Sequence, residues 1–324
     1  MTWLITGGAG YIGGHVVREL AAAGFPVVVL DDLSSGSADR LPPGVPLVVG
    51  STLDRALLDG VIAGHGVTGV LHIAAKKQVG ESVGEPLHYY RENVEGLRLL
   101  LEAAVDGGVR RILLSSSAAV YGTPDVDLVT ESTPCAPINP YGETKLIGEW
   151  LLNASATAYG MSTVALRYFN VAGAASPELS DGGVTNLVPM VFERLAAGER
   201  PRVFGADYPT PDGTCVRDFI HVSDIASAHL AAVRRLDAAG PDERVNLALN
   251  IGRGEGVSVR EMLAEIGEVT GLDTTPEIAP RRPGDPARVV ASAELIRREL
   301  GWSAEHDVRS MVASAWAGWQ HRHP

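Results

Sequence analysis

Short apolar runs, mostly β-branched, punctuate the first half of the chain, and between them apolar residues return every three or four positions. Trp3-Leu-Ile-Thr6, Val27-Val-Val-Leu30, Leu47-Val-Val49, Val70-Leu-His-Ile73 and Ile112-Leu-Leu-Ser115 are continuous rather than alternating. Runs of that kind suit parallel strands covered on both faces. The intervening stretches read as amphipathic helices, for example 14–23 and 93–105, where Val94, Leu97, Leu101 and Ala104 keep helical spacing. A longer helix is predicted over 141–158, followed by a sixth strand at Val164-Ala-Leu-Arg-Tyr168. Strand–helix alternation predicts an α/β protein with a doubly wound parallel sheet.

After about residue 175 this rhythm breaks, with Gly-Gly, Pro-Arg and Pro-Thr-Pro-Asp-Gly punctuation. Helices are predicted at 187–197, 223–235, 258–270 and 307–321. The expected organisation is a dinucleotide-binding domain over 1–175 and a smaller C-terminal α/β substrate lobe over 176–324. The segment at about 216–235 is a candidate to rejoin the main sheet. No internal repeat or low-complexity tail is visible.

Composition narrows the function. A formal charge of −12 argues against nucleic-acid and anionic-membrane surfaces, so anionic ligands must be held by local devices. No apolar run approaches the length of a membrane span, and nothing at Met1-Thr-Trp-Leu-Ile-Thr6 reads as a signal peptide. Two cysteines, Cys135 and Cys215, make neither a disulfide framework nor a metal motif, which fits a reducing cytoplasm. The 27 basic residues include three lysines, Lys76, Lys77 and Lys145, against 24 arginines. A compact ammonium on a flexible stem is therefore kept at two places where guanidinium is otherwise the default.

The first strand runs into Thr6-Gly7-Gly8-Ala9-Gly10-Tyr11-Ile12-Gly13, where Gly7, Gly10 and Gly13 are spaced for a tight turn and a close approach of backbone to pyrophosphate. The second strand ends in Leu30-Asp31-Asp32, 18 residues past Gly13. A carboxylate there accepts from ribose hydroxyls and repels a 2′-phosphate, which favours NAD over NADP. Leu114-Ser-Ser-Ser117 places hydroxyls at the carboxyl edge of the predicted sheet, where ligands bind. Tyr141 and Lys145, four apart on the predicted helix, share a face. A phenol with an ordinary pKa of about 10 is a poor base at neutral pH. Lys145 and an oxidised nicotinamide, both positive, would together favour its phenolate. Ser117 could then hold the reacting hydroxyl and relay its proton.

These residues together resemble the extended short-chain dehydrogenase/reductase family. The resemblance rests on TGGAGYIG, Asp31, SSSAAVYG and the Tyr141/Lys145 pair. Within the family it extends over nearly the whole chain to the branch that epimerises UDP-galactose and UDP-glucose at C4. That narrower likeness rests on Val79-Gly-Glu-Ser82, Arg167-Tyr-Phe-Asn170, Thr185-Asn-Leu187, Asp207-Tyr-Pro-Thr-Pro-Asp-Gly-Thr-Cys-Val-Arg-Asp-Phe-Ile-His-Val222, Arg281-Arg-Pro-Gly-Asp285 and Leu300-Gly-Trp302. The resemblance implies a Rossmann-type sheet and an isomerase in which tightly held NAD takes a hydride and returns it, through a 4-keto sugar. Tyr141, Lys145 and Ser117 would be its catalytic residues. Gly7, Gly10, Tyr11, Ile12, Gly13, Asp31, Asp32, Ser51, Lys77, Asn93, Ser115, Tyr141, Lys145 and Tyr168 would contact the cofactor. Ser117, Asn170, Asn186, Leu187, Phe204, Arg217, Arg282 and Asp285 would line the UDP-sugar pocket. Within that pocket the two arginines suit a diphosphate and Asn186 suits uracil. It also implies a cytoplasmic homodimer formed by the helices near 93–105 and 141–158.

Two positions depart from the family's pattern. Ser51 stands where relatives carry an adenine-contacting Asp. Arg288 stands where they vary between tyrosine and smaller residues, a variation linked to acceptance of N-acetylated sugars. That arginine either blocks a 2-acetamido group or folds away. Alternatives remain: an epimerase of UDP-N-acetylhexosamine or UDP-glucuronate, or a non-catalytic NAD-binding regulator. A 4,6-dehydratase is disfavoured, since Ala118-Ala119 follows Ser117 where that chemistry uses an Asp-Glu pair.

Overall fold

The predicted strands form a parallel sheet whose order reverses at the first strand, as doubly wound α/β proteins require. The computed structural model describes residues 1–240, 243–282 and 284–323. Strands β1 (Thr2–Thr6), β2 (Val27–Asp31), β3 (Leu47–Val49), β4 (Val67–His72), β5 (Arg111–Ser117) and β6 (Ser162–Tyr168) follow in chain order. Further along come β7 (Asn170–Ala172), β8 (Arg202–Phe204), β9 (Val216–His221), β10 (Asn246–Ile251), β11 (Gly256–Ser258), β12 (Glu277–Ala279) and β13 (Arg288–Val289). The main sheet has the order β10-β6-β5-β4-β1-β2-β3, with β1 parallel to β2 and β4, and β4 parallel to β5. Every residue of β2 and β6 is buried, which is why both read as unbroken apolar runs.

Two compact units divide the chain and interleave along it. The first comprises Met1–Gly122, Cys135–Arg167 and Ala226–Leu249; the second comprises Thr123–Pro134, Tyr168–Ile225 and the chain from Asn250 on. In the first, the helix Gly96–Asp106 buries Leu97, Leu100, Leu101 and Ala104 in a core with Leu58, Val61, Ile62, Val70 and Ile112. Each fully buried leucine there stabilises the unit by about 2 kcal/mol. The helix Pro140–Tyr159 is bounded by its sequence. Asn139 accepts from Gly142 N at 2.9 Å, Pro140 takes the first helical position, and Gly160 leaves at φ +64°.

In the second unit β9 is the hub of a four-stranded sheet. It pairs with β7 and β13 in parallel and with β11 antiparallel. β9 thus belongs to this sheet, and the late strand that extends the main sheet is β10. The helices Leu187–Ala196, Val259–Thr270 and Val308–Arg322 bury Phe192, Met262, Ile266, Met311 and Trp319 against Phe219 of β9. Capping boxes Ser258/Glu261 and Asp307/Ser310 begin the latter two helices.

One predicted helix has a different build. The segment expected to be helical from Asn93 begins upstream as Pro86–Tyr89, widens into a π-helical turn over Tyr90–Glu95, and continues as Gly96–Asp106. The wide turn accommodates Asn93, 5% exposed, whose amide is committed to a neighbouring loop.

Candidate active site

Close backbone approach explains the glycines of the β1 loop. A Cβ on Gly13 would stand 2.0 Å from the Gly7 carbonyl oxygen, and one on Gly7, at φ +72°, 2.6 Å from Ala74 N. Gly10 is the N-cap of the helix Tyr11–Ala22, with no side-chain cap bond and no acid in the first turn, where Tyr11, Ile12 and Gly13 lie. A helix terminus of that kind suits an anion. Asp31, 7% exposed at the end of β2, accepts from Ala9 N and from Leu33 N, both at 2.9 Å. A carboxylate has about four acceptor positions, so capacity for ribose hydroxyls remains. Asp32 is exposed. Burial pushes its carboxyl up, but hydrogen bonds from Ser34 and the Lys76 charge outweigh this and hold it below the usual range. Ser51 follows β3 and accepts from Leu53 N at 3.1 Å. These residues fit a dinucleotide with free ribose hydroxyls.

The loop after β4 is fixed by Asn93. Its Oδ1 accepts from Lys76 N at 2.8 Å, and its Nδ2 donates to Lys76 O at 2.9 Å and Thr144 Oγ1 at 3.1 Å. Asn93 therefore joins the Lys76-Lys77 loop to the helix carrying Tyr141, while Lys77 itself is exposed.

Ser115, Ser117, Tyr141 and Lys145 come together within the first unit. Lys145 Nζ, buried, donates to the Ser115 carbonyl at 2.9 Å and lies 6.0 Å from the centre of the Tyr141 ring. Ser117 is half-buried, caps the short turn Ala118–Tyr121 through Ala119 N, and its hydroxyl acts on Tyr141 to favour the phenolate. Loss of hydration lowers Lys145 from 10.5 to about 8. Burial raises the Tyr141 phenol above its ordinary value, against the pull of the Ser117 hydrogen bond. The chain's own residues therefore do not lower the phenol; the expected lowering needs the positive charge of an oxidised nicotinamide. Near Lys145, His72 is pushed down to about 3 by burial and by that ammonium, and meets Thr6 Oγ1 at 2.7 Å.

Sequence reasoning passed over the side chains behind this constellation. Glu149, one turn past Lys145, meets Ser116 Oγ at 2.5 Å and Arg167 at 2.9 and 2.6 Å. Arg167 also donates to the Tyr121 hydroxyl at 2.7 Å. The signal was present as the spacing 141, 145, 149 on one helix face.

Apart from Ser117, the predicted substrate residues lie in the second unit. Asn170 begins β7 opposite Phe219 of β9, and Arg217 lies two residues earlier on β9. Arg217 donates to Val216 O at 2.9 Å and pairs with Asp285 at 2.5 Å. The Arg282 guanidinium lies 3.8 Å over the ring of Phe204, at the end of β8. Asn186 stands at the N-cap position of the helix that Leu187 opens without a side-chain cap bond, and its Nδ2 donates to Asp181 at 3.2 Å. Tyr168, 8% exposed, ends β6. Arg288, half-buried on β13, donates to the Asp127 carbonyl at 3.1 Å. Pro283, within the Arg281–Asp285 run, lies outside the described residues.

Residues 3–248 match the NAD dependent epimerase/dehydratase family. The chain belongs to this family. Among relatives of this NAD dependent epimerase/dehydratase, a UDP-glucose 4-epimerase from Azospirillum brasilense is 44% identical over 98% of this chain and 91% of its own. A UDP-glucose 4-epimerase from Brucella ovis in complex with NAD is 40% identical over 98% of both chains, with a TM-score of 0.92. One from Stenotrophomonas maltophila, with bound NAD and formylated UDP-arabinopyranose, is 40% identical over 100% of this chain and 99% of its own, with a TM-score of 0.94. No described helix of this family member is long and apolar enough to cross a membrane.

Proposed function

We propose that this chain is an NAD-dependent UDP-glucose 4-epimerase, interconverting UDP-galactose and UDP-glucose through a 4-keto sugar. The reading is carried by one observation: Lys145, anchored on the Ser115 carbonyl, lies beside the Tyr141 ring at the end of the strand that bears Ser117. NAD, when bound, supplies hydride uptake from C4 and its return. The glycine loop and the terminus of the helix Tyr11–Ala22 hold its pyrophosphate, and Asp31 holds a ribose. Lys145 is placed to favour the phenolate of Tyr141 and to donate to a second ribose. Tyr141 takes the proton of the C4 hydroxyl and returns it to the same oxygen on the opposite face of the ring. Ser117 aligns that hydroxyl. Arg217 and Arg282 take the diphosphate as planar donors, with Asp285 fixing Arg217, so affinity resides at the non-reacting end while the hexose turns.

The enzyme works in the cytoplasm as a homodimer. Exposed apolar side chains on the first unit support the second copy: Leu87 (83% exposed), Val83 (65%) and Trp150 (59%), the last on the helix Pro140–Tyr159. A monomeric mass by light scattering removes that part of the proposal. The activity is tested by incubating purified protein with UDP-galactose, without added NAD, and quantifying UDP-glucose. UDP-N-acetylgalactosamine in a parallel reaction tests whether Arg288 restricts the pocket. Absence of UDP-glucose even with NAD supplied overturns the assignment.

A further inference from the structure

The helix Pro140–Tyr159 presents Tyr141, Lys145 and Glu149 at successive four-residue steps, and each meets a different residue of one strand end. Ser117 acts on Tyr141 to favour its phenolate, Lys145 Nζ holds the carbonyl of Ser115, and Glu149 Oε1 accepts from Ser116 Oγ at 2.5 Å. The first two belong to the chemistry proposed above. Nothing in that chemistry uses the third, although it is the most deeply buried acid on the helix: Glu149 is 5% exposed and Ser116 2%. A carboxylate kept there needs a reason, because an unpaired buried charge is strongly unfavourable.

Its partner is fixed from two directions. Arg167 on β6, 6% exposed, forks onto Glu149 with Nε to Oε1 at 2.9 Å and a terminal nitrogen to Oε2 at 2.6 Å. Its other terminal nitrogen reaches the Tyr121 hydroxyl at 2.7 Å, and its guanidinium lies 4.9 Å from the Tyr121 ring centre. Tyr121 closes the turn that Ser117 caps. Burial opposes the Arg167 charge, but Glu149 and Tyr121 more than restore it. The half-buried Cys135 thiol, raised by burial, also feels the charges of this pair. Glu149 Oε1 thus serves two donors at once, the strand serine and the arginine, and the second sets where the first is held.

We propose that Glu149 is a positioning residue for the epimerisation, which, anchored by Arg167, pins Ser116 and so sets its two neighbours, the Ser115 carbonyl that seats Lys145 and the Ser117 hydroxyl that meets Tyr141. Adjacent strand residues point to opposite faces. Pinning the middle residue from the helix side therefore fixes the rotation of the strand end, and the angle at which Ser117 is offered. The inference rests on the catalytic reading above.

Ser116→Ala cuts the link while leaving the Glu149–Arg167 pair intact, so the variant keeps its fold and its bound NAD. Its kcat should fall by about tenfold, the equivalent of one net hydrogen bond, with the UDP-galactose KM unchanged. The hydrogen bond from Ser117 favours the Tyr141 phenolate, so its loss moves the acid limb of kcat to higher pH. Glu149→Gln should move that limb in the same direction. A role through charge alone predicts the reverse, because deleting a negative charge favours the phenolate, and a limb moving to lower pH overturns positioning. Ser116→Ala with wild-type kcat and an unmoved limb overturns it as well. The phenolate absorbance of Tyr141, taken as the difference from Tyr141→Phe, is read without turnover and should titrate at higher pH in Ser116→Ala. If the wild type fails to convert UDP-galactose, the epimerase reading falls, and this titration still decides the positioning.

Discussion

Replacing Lys145 by methionine should make the protein more stable and less active, with a margin that depends on pH. The Lys145 ammonium is 7% exposed, and burial lowers its pKa from 10.5 to about 8. The unfolded chain keeps the ordinary value, so between about pH 8 and 10.5 the unfolded state binds more protons and stability rises with pH. Below that window the folded ammonium costs about 3 kcal/mol, at about 1.4 kcal/mol per pKa unit. Methionine removes the charge and keeps most of the packing, but gives up the bond to Ser115 O, worth about 1 kcal/mol. The variant should therefore be more stable by about 2 kcal/mol at pH 7, and less stable by about 1 kcal/mol once the wild-type lysine is neutral. Thermal unfolding followed by tryptophan fluorescence at pH 7, 8.5 and 10.5, without added nucleotide, measures the margin. Turnover should fall by about a hundredfold or more at every pH. A margin that is flat across the window, or a variant already less stable at pH 7, refutes the desolvation argument.

Tyr141→Phe keeps the ring and loses the proton, so NAD should remain bound while turnover falls by about 10²–10⁴-fold. Absorbance of the purified variant and a UDP-galactose assay check both. Gly13→Ala puts a methyl 2.0 Å from the Gly7 carbonyl and 2.7 Å from Gly8 Cα, where only backbone could yield. Loss of NAD on gel filtration is expected, with retention of the cofactor as the contrary result. Arg217→Lys keeps the charge and loses the fork, so the UDP-galactose KM should rise by about tenfold with kcat little changed. A fall confined to kcat would move Arg217 away from diphosphate binding.

The fold was legible where burial is two-sided and the apolar runs are unbroken, as in β2 and β6. It was less legible at β10, Asn-Leu-Ala-Leu-Asn-Ile, which lies within the half of the chain where turn residues hide the alternation. The helix over Tyr90–Glu95 read as ordinary because a π turn leaves the apolar spacing nearly intact. It betrays itself only through the inward amide of Asn93. At the candidate site, residue types and spacing brought Ser117, Tyr141 and Lys145 together. The direction of the Tyr141 shift was hidden, because burial is a collective property of the packed neighbourhood. Glu149 was hidden for a different reason: a carboxylate at helical spacing reads as a solvated face until Arg167, 18 residues on, folds against it.

The two bonds accepted by Asp31 bear on how the cofactor preference could be altered. The carboxylate that would exclude a 2′-phosphate also ties the phosphate loop, through Ala9 N, to the turn after β2, through Leu33 N. Leu33 has a left-handed backbone at φ +58°, a conformation unfavourable for leucine without such a tether. Preference and scaffold therefore share one side chain. Redesign for the phosphorylated dinucleotide by exchanging Asp31 for a small neutral residue would release the loop meant to receive it. A workable redesign begins at Leu33, with glycine there to relieve the turn, and touches Asp31 second.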